Sequence, residues 1–184
     1  MSSTPRIRRA TSEDGDAVWP LLQSMGKVGP MDAARQRFER IVRDPSHYFS
    51  VAIYGDALVG YAWAQDYGAH LRTGDRTARL HDLFVRPERR GRGIGAAIFR
   101  AVREWARQEG VRYLEWQASL SAVPFYERLG YTGDPCPQPE YPYFEIDFAI
   151  ESPSGISVLR DTTSDTSTPA ASSKRAARSQ AMPR

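Results

Sequence analysis

The segment Leu80–Gly95, LHDLFVRPERRGRGIG, constrains this chain more than any other stretch. Its first part is an apolar run that reads as a strand ending at Val85, and Pro87, which has no amide hydrogen for a ladder, stops the pairing. A short basic loop then runs directly into Ile94–Gln108, the clearest helix in the sequence. Ile94, Ile98, Ala101, Val102 and Trp105 form its inner stripe, Arg100, Arg103 and Arg107 lie outside, and Gly110 ends it. Gly91, Gly93 and Gly95 let the backbone bend tightly and approach a ligand without Cβ obstruction. The first amides of the helix have no intrahelical acceptors, and the helix dipole adds partial positive charge there. The combination predicts an anion site shaped for a pyrophosphate, with Arg89, Arg90 and Arg92 adding charge. A Walker loop would need Gly-Lys-Ser/Thr, which is absent. A dinucleotide fingerprint would need G-x-G-x-x-G and an acid about 20 residues later, and this loop has neither. The competing reading of the loop alone is a solvated hinge.

The rest of the pattern predicts an α/β domain around a mixed sheet. Ile7–Ala10 reads as a strand. Thr11 or Ser12 caps a helix to Met25, kinked or divided at Pro20, and Met31–Val42 is a second helix. Tyr48–Ile53 and Ala57–Gln65 form a hairpin around Gly55-Asp56, and Ala78–Val85 is the strand before the loop. After the long helix come a strand at Tyr113–Gln117, a short helix at Val123–Leu129 and a last strand at Tyr143–Ile150.

Composition bounds what surrounds this domain. Five of the 25 basic residues and two of the 22 acidic ones lie beyond Glu151, so Met1–Glu151 is balanced and the net charge of +3 belongs to the end of the chain. Residues 152–184 are rich in Ser, Thr and Ala, have no aromatics, and read as a disordered basic tail after a folded domain at 1–151. Without interleaved aromatics that tail argues against nucleic acid as a partner. The single cysteine, Cys136, excludes an intrachain disulfide. No stretch approaches the ~18 apolar residues of a membrane helix, and the first residues lack a secretory apolar core. These features predict a cytoplasmic protein without a membrane partner.

Two motifs together carry a family resemblance. Arg90-Gly-Arg-Gly-Ile-Gly95, preceded by V-R-P-E-R, resembles the Arg/Gln-x-x-Gly-x-Gly/Ala motif of the GNAT acetyltransferase superfamily. Ala122-Val-Pro-Phe-Tyr-Glu-Arg-Leu-Gly-Tyr131 is similar to that family's A-x-x-F-Y-E-x-L-G-F. The resemblance covers roughly Ile7–Ile150. It implies a mixed, mostly antiparallel sheet with a splayed central strand pair, flanked by about four helices. It also implies an enzyme that moves acetyl from acetyl-CoA to a primary amine by direct attack in a ternary complex, with no metal. Arg90, Gly91, Arg92, Gly93, Ile94 and Gly95 would then hold the pyrophosphate, and the pantetheine arm would run beside Phe84 and Val85. Many members carry an Asn just before the second motif; Ser119 stands at that offset and offers a hydroxyl instead. A non-catalytic acyl-CoA-binding module on the same fold is the alternative, and a homodimer is compatible with the resemblance.

Acetyl transfer needs an amine without its proton and a proton for the departing thiolate. By resemblance Tyr126 is the proton donor; its structural alternative is a core aromatic beside Phe125. For the base, strand alternation places Arg79, His81, Leu83 and Val85 on one face and Leu80, Asp82 and Phe84 on the other. His81 matches the family position and has a suitable unperturbed pKa of about 6.5. Glu115 on the adjacent strand is the second candidate, and Asp82 is expected to anchor neighbouring chain. Cys136, in GDPCPQP, has no evident base nearby and reads as a loop thiol. The acceptor, a small-molecule or peptide amine, is expected among Met25–Met31, Asp66–Arg76 and Thr132–Tyr143. Trp63, Tyr67, His70 and Tyr141 supply flat surfaces there, and Asp66, Asp75 and Glu140 supply negative charge for a cationic amine.

Overall fold

Large apolar side chains on the middle strands point to both faces of one sheet, so two helical layers are needed to cover it. The computed structural model describes residues 4–26, 28–133 and 143–148. Strand β1 (Arg6–Arg9) is followed by a single 3-10 turn (Ser12–Asp14), α1 (Gly15–Met25) and α2 (Met31–Arg43). Strands β2 (His47–Tyr54), β3 (Ala57–Ala69) and β4 (Arg76–Val85) come next, then α3 (Ile94–Gln108), β5 (Tyr113–Gln117), α4 (Val123–Arg128) and β6 (Tyr143–Asp147). The strands lie side by side in chain order, and every neighbouring pair is antiparallel except β4–β5, which is parallel.

On one face, α3 presses Ile98 and Val102, both fully buried, onto Val59, Ala62 and Ala64 of β3 and Leu114 of β5. The alanines on β3 leave room for the larger side chains of the helix. Burying an Ile or Val fully is worth roughly 1.5–3 kcal/mol. On the other face, Val18 and Leu21 of α1 and Phe38 of α2 cover Phe49, Val51, Tyr61 and Phe84. Phe49 stacks on Tyr61 with ring centroids 5.3 Å apart and meets Phe38 edge-on at 5.1 Å. Where the chain leaves β1, Asp14 accepts hydrogen bonds from the Thr11 amide at 2.8 Å and from both terminal nitrogens of Arg8 at 2.7 Å. The Arg8 guanidinium holds the Asp14 carboxyl below its ordinary pKa.

Most elements fall where the sequence places them, with four differences. A 3-10 turn precedes α1. That helix runs unbroken across Pro20, because the bond Pro20 cannot make is to the carbonyl of exposed Asp16 in the first turn, where water can replace it. Strand β3 continues to Ala69, past the predicted end at Gln65, so the connection to β4 shrinks to residues 70–75. The fourth difference concerns the alternation on β4. Trp63 pairs with Asp82 and Ala64 with Leu80, which leaves His81 as an extra residue, a β-bulge. The predicted two faces therefore do not hold: Leu80 joins Leu83 and Val85 on the α3 side, and Phe84 lies in the opposite core.

Gly60 permits the close approach of β3, β4 and α3. A Cβ there would stand 2.7 Å from the Phe84 carbonyl oxygen and 3.0 Å from Ile98 Cδ1. Backbone cannot yield as a side chain can, so Gly60→Ala should cost about 1–3 kcal/mol. Urea denaturation of the variant checks this, and an unchanged midpoint would show that the strands shift without penalty.

Candidate active site

Strands β4 and β5 pair only from Thr77↔Tyr113 to Leu80↔Trp116. Beyond that point His81–Val85 has no partner on the β5 side, and a gap opens in the sheet. The basic loop begins at the same end of β4. Gly91 and Gly93 have φ of 72° and 75°, in the left-handed region, and Gly93 is the residue immediately before α3. A Cβ at either would meet nothing within 4 Å, so their free side faces open space. Arg90 donates its amide to the Pro87 carbonyl at 3.2 Å and its Nε to the Val85 carbonyl at 3.0 Å. Arg90 therefore braces the loop against the strand, while the amides of Gly91–Ala96 donate to no backbone acceptor among the described residues. Arg89 and Arg92 lie over the ring of Tyr54, 5.4 and 6.0 Å from its centre. A run of amides without acceptors at a helix start, flanked by guanidinium groups, fits a diphosphate. Gly95 serves packing instead. Its missing Cβ admits the Phe125 ring, whose Cε2 would stand only 3.2 Å away.

Tyr126 projects from α4 into the core against Phe99, Trp116 and Phe125, at centroid distances of 5.5, 5.2 and 4.9 Å. It is 6% exposed, and burial raises its hydroxyl pKa well above the ordinary value, which keeps the proton on. Ser119 lies exposed in the β5–α4 connection; its carbonyl caps α4 by accepting from the Ala122 amide at 2.8 Å, and its hydroxyl is 3.1 Å from that of Ser121. Glu115 lies in the still-paired part of the sheet, opposite Arg79 and Glu145, one residue short of the gap.

His81 stacks on Trp63 at 4.2 Å and donates from Nε2 to Gln65 Oε1 at 3.2 Å. Trp63 is fixed in turn, its indole N–H donating to His47 Nδ1 at 3.1 Å. Burial, then the charge of Arg79, then His47, lower the His81 pKa to about 4. The ring is neutral at ordinary pH and a weak proton acceptor. Because of the bulge, Asp82 follows His81 on the same side of the sheet. Tyr61 donates to Asp82 Oδ2 at 3.4 Å and also lies 3.1 Å from Met25 Sδ. Burial raises the Asp82 carboxyl pKa. This carboxylate borders a cleft of about 400 Å³ between α1, α2 and the sheet, walled by Leu22, Met25, Val28, Phe38, Ile41, Phe49, Tyr61 and Trp63, with Arg37 the other charged lining residue.

The fold as a whole agrees with known proteins. Residues 16–131 match the Acetyltransferase (GNAT) family. The chain belongs to this family. Aminoalkylphosphonate N-acetyltransferase of Salmonella typhimurium is 30% identical over 130 residues, covering 68% of this chain and 83% of that protein. Among solved structures, glucosamine-6-phosphate N-acetyltransferase from Arabidopsis thaliana superposes with a TM-score of 0.65 at 19% identity, covering 75% of this chain and 98% of the other. The PaiA N-acetyltransferase from Thermoplasma acidophilum, solved with coenzyme A, gives 0.63 at 13% identity and covers 79% and 99%. This GNAT enzyme thus shares the predicted mixed, mostly antiparallel sheet and flanking helices with its relatives.

Against the sequence reading, two of the three acidic residues expected to meet an acceptor are otherwise engaged. Asp66 is buried in an ion pair with Arg76, and Asp75 stands 3.9 Å from Arg112. Glu140, Tyr141 and Cys136 lie outside the described residues, as does the tail. Asp82, expected to anchor neighbouring chain, accepts from Tyr61 of β3 and also borders the cleft. Only the bulge reveals this, and no residue type in DLFV signals it. Among the described residues no three His, Cys, Asp or Glu side chains gather as a metal site, and no helix is long and apolar enough to cross a membrane.

The depressed His81 pKa has a stability consequence. Between about pH 6.5 and 4 the unfolded chain takes a proton at His81 that the folded chain refuses, so this residue makes stability fall as pH drops through that window. The His81 imidazole should titrate near pH 4 by NMR, and a midpoint above about 6 would contradict the burial argument.

Proposed function

We propose that this GNAT enzyme acetylates the primary amine of a small molecule, with acetyl-CoA as co-substrate, by direct attack in a ternary complex. The observation that carries the reading is the unpaired edge beyond Leu80↔Trp116, which runs from Asp82, bordering the cleft, toward the loop whose Gly91–Ala96 amides have no backbone acceptor among the described residues. Those amides, with Arg92 beside them, would hold the pyrophosphate, and the unpaired edge of Phe84 and Val85 would align the pantetheine arm. Arg90 serves by fixing the loop, since its side chain is committed to the Val85 carbonyl. Ser119 offers its hydroxyl at the mouth. Bound there, acetyl-CoA supplies the activated acetyl thioester.

The chain's own groups handle the protons. Asp82 is the best-placed acceptor for the proton of the incoming ammonium: it borders the cleft, has one long hydrogen bond, and its raised pKa makes it a stronger base than an exposed carboxylate. His81, stacked and weakly basic, holds Trp63 and the bulge that aims Asp82. Glu115 lies on the paired side of the opening and is the second candidate for the base. Tyr126, kept protonated by burial, would donate a hydrogen bond to the leaving sulfur, whose proton comes from the attacking nitrogen as the amide forms. The amine is of the small-molecule kind named for the Salmonella relative's acceptor, an aminoalkylphosphonate.

Acetyl-CoA turnover over a panel of amines, read as free thiol and product mass, tests the activity; no turnover with any amine would refute it. Tyr126→Phe should retain acetyl-CoA binding and lose about 10²–10⁴-fold in kcat; an unchanged kcat removes Tyr126 from the chemistry. In kcat/KM, activity should fall as pH drops through the raised pKa of Asp82. Asp82→Asn should abolish that acidic limb, and His81→Gln should leave it in place. If His81→Gln removes the limb instead, His81 is the base.

A further inference from the structure

Helix α2 carries four exposed arginines, and their partners divide them into two kinds. Arg35 is paired with Asp16 of α1, and Arg43 lies 3.6 Å from Glu39 one turn earlier. Arg37 and Arg40 have no acidic partner among the described residues. Arg37 lines the acceptor cleft, and its Nη2 reaches over the turn between α1 and α2, 3.5 Å from where a Gly29 Cβ would stand. It also lines a second depression of about 290 Å³ together with Arg40, His47 and Asp44. Ile41 is also common to both, so the two hollows adjoin across Arg37 and Ile41. Asp44, the acid of the outer hollow, is turned to Ser46, accepting from its amide at 2.8 Å and its hydroxyl at 2.7 Å.

The acceptor cleft thus has two charged lining residues of opposite sign, separated by an apolar wall that includes Phe38 and Ile41. Asp82 suits an ammonium. A second ammonium at the far end of the acceptor would meet Arg37, with Arg40 beyond it in the adjoining hollow, and an uncharged far end would leave the Arg37 guanidinium to water. A carboxylate, phosphonate or phosphate would meet a guanidinium fork able to bind two of its oxygens.

Resting on the acetyltransferase reading above, we propose that the acceptor is an amine bearing an anionic group at its far end across a short apolar body, with Arg37 as the residue that reads the anion and Arg40 supporting it. The amine end lies at Asp82, the apolar body along Phe38 and Ile41, and the anion at the mouth between α1 and α2.

Three acceptors with the same five-carbon body test this: 5-aminopentanoate, pentylamine and 1,5-diaminopentane, whose far ends are anionic, neutral and cationic. With the full chain and saturating acetyl-CoA, kcat/KM should rank them in that order, 5-aminopentanoate exceeding pentylamine by about tenfold, the scale of one charge-assisted hydrogen bond. The preference should sit in KM and shrink as salt is raised. Arg37 is exposed, so Arg37→Glu should fold normally, and it should reverse the order of the anionic and cationic acceptors. A wild-type enzyme that prefers pentylamine or the diamine, or acetylates none of the three, overturns the proposal, as does an order unmoved by Arg37→Glu. The broader amine panel separates these failures from failure of the acetyltransferase reading, because an enzyme active on other amines but indifferent to Arg37 loses only its assigned acceptor class.

Discussion

The whole arrangement depends on a parallel pairing that lasts four residues and then stops. Between Thr77 and Leu80, β4 and β5 share a hydrogen-bonded edge; from His81 onward they do not. An unpaired strand edge inside a sheet exposes donors and acceptors that need partners, and proteins seldom leave such an edge open without use. Here the open edge lies beside a helix start whose amides also need acceptors. One extended ligand with a diphosphate at one end and amide groups along its arm would satisfy both, which is why the loop and the gap make sense only together.

The bulge at His81 is the second determinant. A regular strand would have placed Asp82 in the α3-side core, where an unpaired carboxylate would cost several kcal/mol. The extra residue turns it to the side of Tyr61 and Trp63 and restores Leu83 to the apolar layer. The same event buries the His81 ring between Trp63 and Gln65, which lowers its affinity for a proton. Two neighbouring titratable groups thus move in opposite directions, His81 toward a weaker base and Asp82 toward a stronger one.

These two devices differ in how far the sequence announces them. Gly91, Gly93 and most of the α3 stripe follow from local rules about positive φ, helix starts and 3.6-residue periodicity; Ile94, Ile98, Val102 and Trp105 are buried as those rules expect, while Phe99 and Ala106 are buried too and Ala101 is only half-buried. The boundaries of α3 and β5 are likewise local. The bulge depends on how β4 meets β3, and LHDLFV reads as a regular alternation with nothing to mark the slip. The fate of Asp66 was hidden for the same reason: its partner Arg76 is ten residues away across a hairpin whose length sequence alone underestimated. Arg90 shows a subtler limit, since charge and position in the loop are evident but a bond back to the Val85 carbonyl is not.

The contact between Gly95 and Phe125 has a geometrical consequence. Because the ring stands only 3.2 Å from where a Gly95 Cβ would be, the first turn of α3 and the start of α4 pack closer than a side chain there would comfortably allow. Tyr126 is the next residue along, so the span from the phosphate cradle to the buried hydroxyl is set by a packing contact between two helices. The absence of one carbon at Gly95 thus ties the glycine turn and the buried tyrosine into one packed unit.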